Sequence, residues 1–197
     1  MASISSPRFQ LTSTQTALAF IVPKHIQSEI NSLRRLHDKA FSKWQPHINI
    51  LYPFVEPAHL SSAVAILREA LKEAKIFKVF ADEVGVFRHR KNATVFLKPG
   101  VESEESFCNL RRDLVRALGC NERDGTHDGT FRPHLTVGQA GLNGSAIEKL
   151  IEQVGKLVSL SWEGSTLAVL KREISGEMEV VGELPLGILD DDSHESK

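Results

Sequence analysis

The chain is short of cysteine. Cys108 and Cys120 are its only two. They do not form a CxxC pair, and their density is far below that of a disulfide framework, so both read as reduced, structural residues. Long hydrophobic runs are missing too. Ala17 to Val22, the longest run near the start, is far too short to cross a bilayer, and residues 1–15 hold no apolar stretch of a secretory signal. These absences point to the cytosol or the nucleus and to no membrane partner. Nor is there an excess of charge of one sign. The formal net charge is −1 and the pI about 6.7, whereas a groove for duplex DNA would need a basic surplus. Local basic clusters remain at Arg34–Arg35, Arg88–Lys91, Arg111–Arg112 and Lys171–Arg172. Each reads either as a solvated face or as a foothold for a small anion. There is no glycine-rich phosphate loop, GxSxG elbow, HExxH helix or His-x₃-His pair, so neither a metal site nor a cofactor is implied.

What is present fits one soluble domain, with 41% hydrophobic and 25% charged residues. Residues 1–14 are Ser/Thr-rich and read as loose. Residues 15–188 read as a single bilobal domain, and 189–197 as a disordered acidic tail. Thr16–Val22 predicts a buried strand. Pro23 opens a helix with Ile26, Ile30, Leu33 and Leu36 as its apolar stripe. Pro46–Phe54 is the next strand. Pro57 opens a second helix with Leu60, Ala63, Val64, Leu67, Leu71 and Ala74 on one face. A strand over Phe77–Phe87, interrupted near Gly85, and one over Ala93–Leu97 form a meander. A third helix spans Ser103–Leu118, and a polar loop covers 121–130. A strand follows at PHLTVG, then a helix capped by Ser145 and Glu148. Strands near 157–163, 165–172 and 178–184 close the fold. Helices and strands alternate in two similar halves, yet some strands follow each other through short turns. The expectation is an α+β fold with antiparallel pairing, in a monomeric chain.

One pattern occurs twice. Pro46-His47-Ile48-Asn49-Ile50 matches Pro133-His134-Leu135-Thr136-Val137. Side chains alternate along a strand, so His47 and Asn49 share one face while Ile48 and Ile50 share the other. The same holds for His134 and Thr136 against Leu135 and Val137. If the halves are related by a pseudo-two-fold axis, the two polar faces meet across a cleft. A neutral imidazole can take a proton from a nucleophile while an imidazolium protonates the leaving oxygen. Asn49 and Thr136 can hydrogen-bond phosphoryl oxygens, where charge is held in the transition state. The other histidines (His25, His37, His59, His89, His127, His194) read as surface or structural residues. Tyr52, Phe131 and Arg132 flank the motifs as candidate substrate contacts, the aromatics for stacking on a base, with core packing the alternative for Phe131, and the arginine for phosphate. Phe54 reads as core. The 121–130 loop reads as either a substrate lid or a plain connector.

With its paired motifs the sequence resembles the 2H phosphoesterase superfamily, the 2′-5′ RNA ligase-like and cyclic nucleotide phosphodiesterase group, whose hallmark is two His-x-Thr/Ser-x motifs, one per lobe. His134–Val137 matches that pattern fully. His47–Ile50 departs from it at Asn49. The resemblance spans about Thr16 to Leu186 and includes the VGVF run ending at Phe87 and the LAVLKR run ending at Arg172, which look like flanking strands. It implies two pseudo-symmetric lobes, each an antiparallel sheet with helices on its outer side, around a central cleft, and metal-independent cleavage of a 2′,3′-cyclic phosphate or a 2′-5′-linked nucleotide or RNA end, with His47 and His134 exchanging protons. The reading that competes with it is a non-catalytic nucleotide- or RNA-end-binding module on the same fold, which the departure at Asn49 keeps open. A third is an interaction protein whose motif strands are only structural.

Overall fold

The computed structural model describes residues 9–142 and 145–187. The predicted acidic tail and His194 therefore lie outside the described residues. The elements run β1 (Thr16–Ile21), α1 (Lys24–His37), β2 (His47–Leu51), α2 (Leu60–Ala70), β3 (Phe77–Arg88), β4 (Asn92–Pro99), α3 (Val101–Ala117), β5 (Leu135–Gly141), α4 (Ala146–Gly155), β6 (Leu160–Gly164), β7 (Thr166–Arg172) and β8 (Met178–Pro185). Single-turn 3₁₀ segments at Pro57–His59 and Leu71–Glu73 flank α2.

All eight strands join one curled sheet in the order β6-β3-β4-β5-β2-β1-β7-β8. Every pairing is antiparallel. The α+β class holds, and the two lobes are the two ends of this sheet. They meet where β2 lies against β5, with Ile48 opposite Leu135. The lobes are nested rather than consecutive. One holds β3 to β6 without interruption, and the other is made of β1 and β2 completed by β7 and β8 from the far end of the chain. Edge-to-edge pairing forces this order, since β1 needs β7 on its free edge to satisfy its backbone groups.

The helices pack on the face that carries the main core. That core runs from Phe9 and Leu11 through Ile48, Ile50, Phe107, Leu135 and Val137 to Leu184. β1 is buried on both faces. Leu18 and Phe20 enter the main core, while Ala17 and Ala19 join Ala168, Leu170 and Met178 in a small cluster on the opposite face. The small alanines leave room for Trp44 and Tyr52 to lie against that cluster. α1 crosses to pack on β5. Its close approach depends on Gly138, where a Cβ would stand 2.5 Å from His37 Cβ.

Several expectations need correction. Residues 9–14 are not loose: Phe9 and Leu11 are buried, and Ser13 exchanges backbone hydrogen bonds with Phe54. Two large apolar side chains outweigh the Ser/Thr-rich local composition. On α1, Leu36 is 74% exposed while Arg34 is only 2% exposed. The arginine turns inward because Asp38, one turn on, and the Trp44 carbonyl both accept from it at 2.8 Å. Arg111 is likewise buried, donating to the carbonyls of Glu122 and Asp124. Neither is a solvated face. β3 runs through Gly85 without a break, because the glycine serves side-chain packing and not a turn: a Cβ there would meet the Phe96 ring at 2.1 Å. Ser145 stands at the N-cap of α4, yet its hydroxyl makes no capping bond.

Candidate active site

Both motifs show the alternation their spacing predicts. Pro46, Ile48 and Ile50 are buried while His47 and Asn49 are partly open; Pro133, Leu135 and Val137 are buried while His134 and Thr136 are partly open. Counting outward from the Ile48–Leu135 pair, the antiparallel register sets His47 opposite Thr136 and Asn49 opposite His134. The pseudo-two-fold axis thus passes between the strands, and all four side chains line one open cleft of about 860 Å³.

Each ring is fixed by the same local bond. His47 Nδ1 lies 2.7 Å from the Gln45 carbonyl, and His134 Nδ1 lies 2.7 Å from the Arg132 carbonyl. A carbonyl only accepts, so Nδ1 carries the proton in both rings. Nε2 of each neutral ring is then the basic nitrogen. Burial, first of all, holds the His47 imidazole down at about 4. Its bond to Gln45 and the Asp38 carboxylate oppose this, while Arg34 and His134 add to it. His134 is also lowered by burial, against its bond to Arg132. Both rings are therefore neutral in the free protein at pH 7.

Beyond that bond the two sites differ. His47 stacks face to face on Trp44, with centroids 4.4 Å apart and planes at 20°. His134 meets Phe87 edge-on at 5.0 Å and Phe96 at 5.2 Å. Asn49 Nδ2 lies 3.1 Å from His47 Nε2, and Asn49 Oδ1 is buried with no partner among the described residues. Thr136 makes no such bond to His134.

The candidate substrate contacts also line the cleft. The Tyr52 hydroxyl accepts from Arg172 at 3.1 Å, and its ring meets Trp44 edge-on. Phe131 is half-buried against the main core, with the Arg111 guanidinium 5.2 Å above its ring. Arg132 is exposed and pairs with Asp128 at 2.8 Å. Gly125 to Asp128 and Thr130 of the polar loop form part of the wall, and Arg111 ties the base of that loop to α3. Phe54 is core. His89, read as a surface residue, is exposed at the cleft mouth and bonds Thr94.

Sequence reasoning missed Trp44, Phe87, Phe96 and the polar network beneath Trp44, in which Asp38 accepts from Arg34 and Gln139. Phe87 had a signal, since it ends the VGVF run. Trp44, three residues before His47, had only its proximity. Among the described residues, no group of three or more His, Cys, Asp or Glu is placed to hold a metal ion. No described helix is long and apolar enough to cross a membrane.

Known proteins resemble this chain in sequence and in fold. A Staphylococcus aureus (strain JH1) protein, provisionally named a phosphoesterase, is 27% identical over 138 residues, covering 70% of this chain and 77% of its own. Escherichia coli LigT in its apo form superposes with a TM-score of 0.60 at 14% identity, over 89% of this chain and 98% of its own. TT0787 of Thermus thermophilus gives 0.58 at 16% identity, over 87% and 97%. These two likenesses show the fold. The family model of the 2′-5′ RNA ligase superfamily matches residues 22–175, which include both histidine motifs and most of the sheet, so the chain belongs to that superfamily, the 2H phosphoesterases.

Proposed function

We propose that the chain is a metal-independent phosphodiesterase acting on a 2′,3′-cyclic phosphate or a 2′-5′-linked nucleotide or RNA end. The observation that carries this reading is the pair of imidazoles in one cleft, each with Nδ1–H donating to a backbone carbonyl so that Nε2 is the basic nitrogen. Phosphoesterase chemistry itself follows from the family. E. coli LigT, which shares the fold, has been crystallised with phosphate, 3′-AMP and ATP, and a nucleotide end suits the aromatic walls of this cleft.

In the proposed reaction, one histidine Nε2 takes a proton from water as the water oxygen bonds to phosphorus. The bond from phosphorus to a ribose oxygen breaks, and that oxygen receives a proton from Nε2 of the other histidine, then an imidazolium. Thr136 and Asn49 donate to the non-bridging oxygens that carry the charge. Both rings are neutral in the free protein, so the second proton must be supported by the bound phosphate anion, which favours an imidazolium beside it.

The test is a substrate panel of 2′,3′-cyclic mononucleotides, RNA ending in a cyclic phosphate, and 2′-5′ oligonucleotides, each with and without EDTA. Turnover of at least one substrate, unchanged by EDTA, is expected. Nucleotide binding without turnover would favour the non-catalytic module. Loss of activity in EDTA with recovery on adding Zn²⁺ or Mn²⁺ would overturn the two-histidine scheme.

A further inference from the structure

We propose that Asn49 is a displaceable cap on His47: its amide N–H closes the Nε2 lone pair in the free protein and must turn away before that ring can exchange a proton. The consequence for turnover rests on the proposed function; the cap itself does not.

The orientation of the Asn49 amide is dictated by its neighbour. With Nδ1–H committed to the Gln45 carbonyl, the neutral ring offers an acceptor at Nε2. The Asn49 atom 3.1 Å away must then be the NH₂ group, because an amide oxygen there would set two acceptors against each other. This choice leaves Oδ1 on the enclosed side, buried and without a partner among the described residues. The carbonyl end gains nothing from this rotamer, so the bond to the imidazole is what holds it. Other groups face His47 without bonding Nε2. Arg34 and Asp38 reach it from α1 and its C-terminal turn, already paired to each other. Trp44 covers its face, and His134 faces it from the start of β5.

The arrangement has a chemical consequence. A proton can bond to Nε2 only as the Asn49 N–H···Nε2 bond breaks, since an NH₂ group cannot accept the new N–H. The amide then either flips, so that Oδ1 accepts from the imidazolium, or swings out to donate to a phosphate oxygen. His134 has no such step, because no described residue bonds its Nε2 and Thr136 leaves it open. A hydroxyl at position 49 could accept as readily as donate and would not oppose protonation.

The test follows the two rings by NMR titration of the ¹⁵N-labelled full chain, comparing wild type with Asn49→Thr and with the reciprocal Thr136→Asn, and with Asn49→Ser should Asn49→Thr fold poorly. With the cap removed, His47 is expected to titrate higher by roughly half a pH unit or more, the size of one hydrogen bond that favours the neutral ring, while His134 stays put. Thr136→Asn is expected to move His134 lower. His47 titrating alike in wild type and in both position-49 variants would overturn the cap, as would equal shifts of both rings. Because these readouts need no substrate, failure of every substrate in the panel would overturn the proposed reaction and leave the cap standing. Where a substrate is turned over, Asn49→Thr is expected to raise kcat/KM at pH 7 and to move the acid limb of its pH profile upward.

Discussion

In β2 the histidine lies flat on Trp44 and is followed by an asparagine; just before β5 its counterpart meets Phe87 edge-on and Phe96 at a tilt and is followed by a threonine. The backbone parts of the two sites are the same. Each imidazole donates from Nδ1 to the carbonyl two residues back at 2.7 Å, and each sits one residue from the central Ile48–Leu135 pair. Symmetry is thus kept where the chain sets the tautomer and aims the ring. It is given up where side chains set the polarity and access of Nε2. A near-symmetric pair of bases can in this way be made into two unequal groups without moving either strand.

The largest effect expected bears on what the two sites share. His47→Ala or His134→Ala should each lower turnover by about 10²-fold or more. The double variant should be little worse than the poorer single one, because the pair acts as a unit. Single variants that both retain wild-type rates on every substrate the parent turns over would remove the catalytic assignment. The next comparison separates the sites. Thr136→Ala should forfeit a hydrogen bond to a charged group, roughly 1.5–3 kcal/mol in kcat/KM. Asn49→Ala should cost less, because the lost phosphate contact is offset by release of His47. Equal losses, with unchanged thermal melts, would mean that the two polar partners are equivalent after all.

Gly85→Ala probes the second site through its packing. The new methyl group would drive into the Phe96 ring, which lies beside His134. Overpacking of this kind typically costs about 1–3 kcal/mol, and the loss should appear in both the melting temperature and kcat. A melting temperature unchanged from wild type would mean that Phe96 has another rotamer available. The smallest effect concerns acid stability. The folded pKa of His47 lies near 4 against an ordinary 6.5, so the folded state resists the proton that the unfolded chain takes up. Its contribution is therefore full above pH 6.5, falls as pH drops toward 4, and levels off below that. With allowance for the partly open ring, the loss is about 1–2 kcal/mol. Denaturant melts of His47→Gln at pH 7 and pH 4 should show a correspondingly smaller acid penalty than wild type. An identical penalty would place the acid sensitivity elsewhere.

Much of this was legible in the sequence because strand alternation is a local property. A period of two was enough to put His47 with Asn49 and His134 with Thr136, and the repeat of five positions was enough to pair them. The apolar stripe of α2 was legible because helical periodicity is local as well. Arg34 was not. It occupies a helix position that reads as solvent-facing, and it turns inward only because Asp38 and the Trp44 carbonyl converge on it from a turn that a linear pattern does not fold back. Phe9 and Leu11 were hidden by their polar surroundings, since their burial depends on segments far along the chain, among them His59 beside Phe9 and Gly125 beside Leu11.

By itself the sequence determined the superfamily, the strand identity of both motifs and the four polar side chains that share the cleft, all of which follow from residue type and spacing. Tertiary structure decided the rest. It nested one lobe within the other, because β1 could complete its hydrogen bonds only with β7 from the far end of the chain. It brought Trp44 to one histidine and Phe87 and Phe96 to the other, because the small face of β1 and the missing side chain at Gly85 left those spaces. It also made Asn49 unlike Thr136 in more than size, because a ring whose Nδ1 is already bonded can accept only from the amide N–H, and that constraint exists only once the loop before β2 has brought the Gln45 carbonyl to the imidazole.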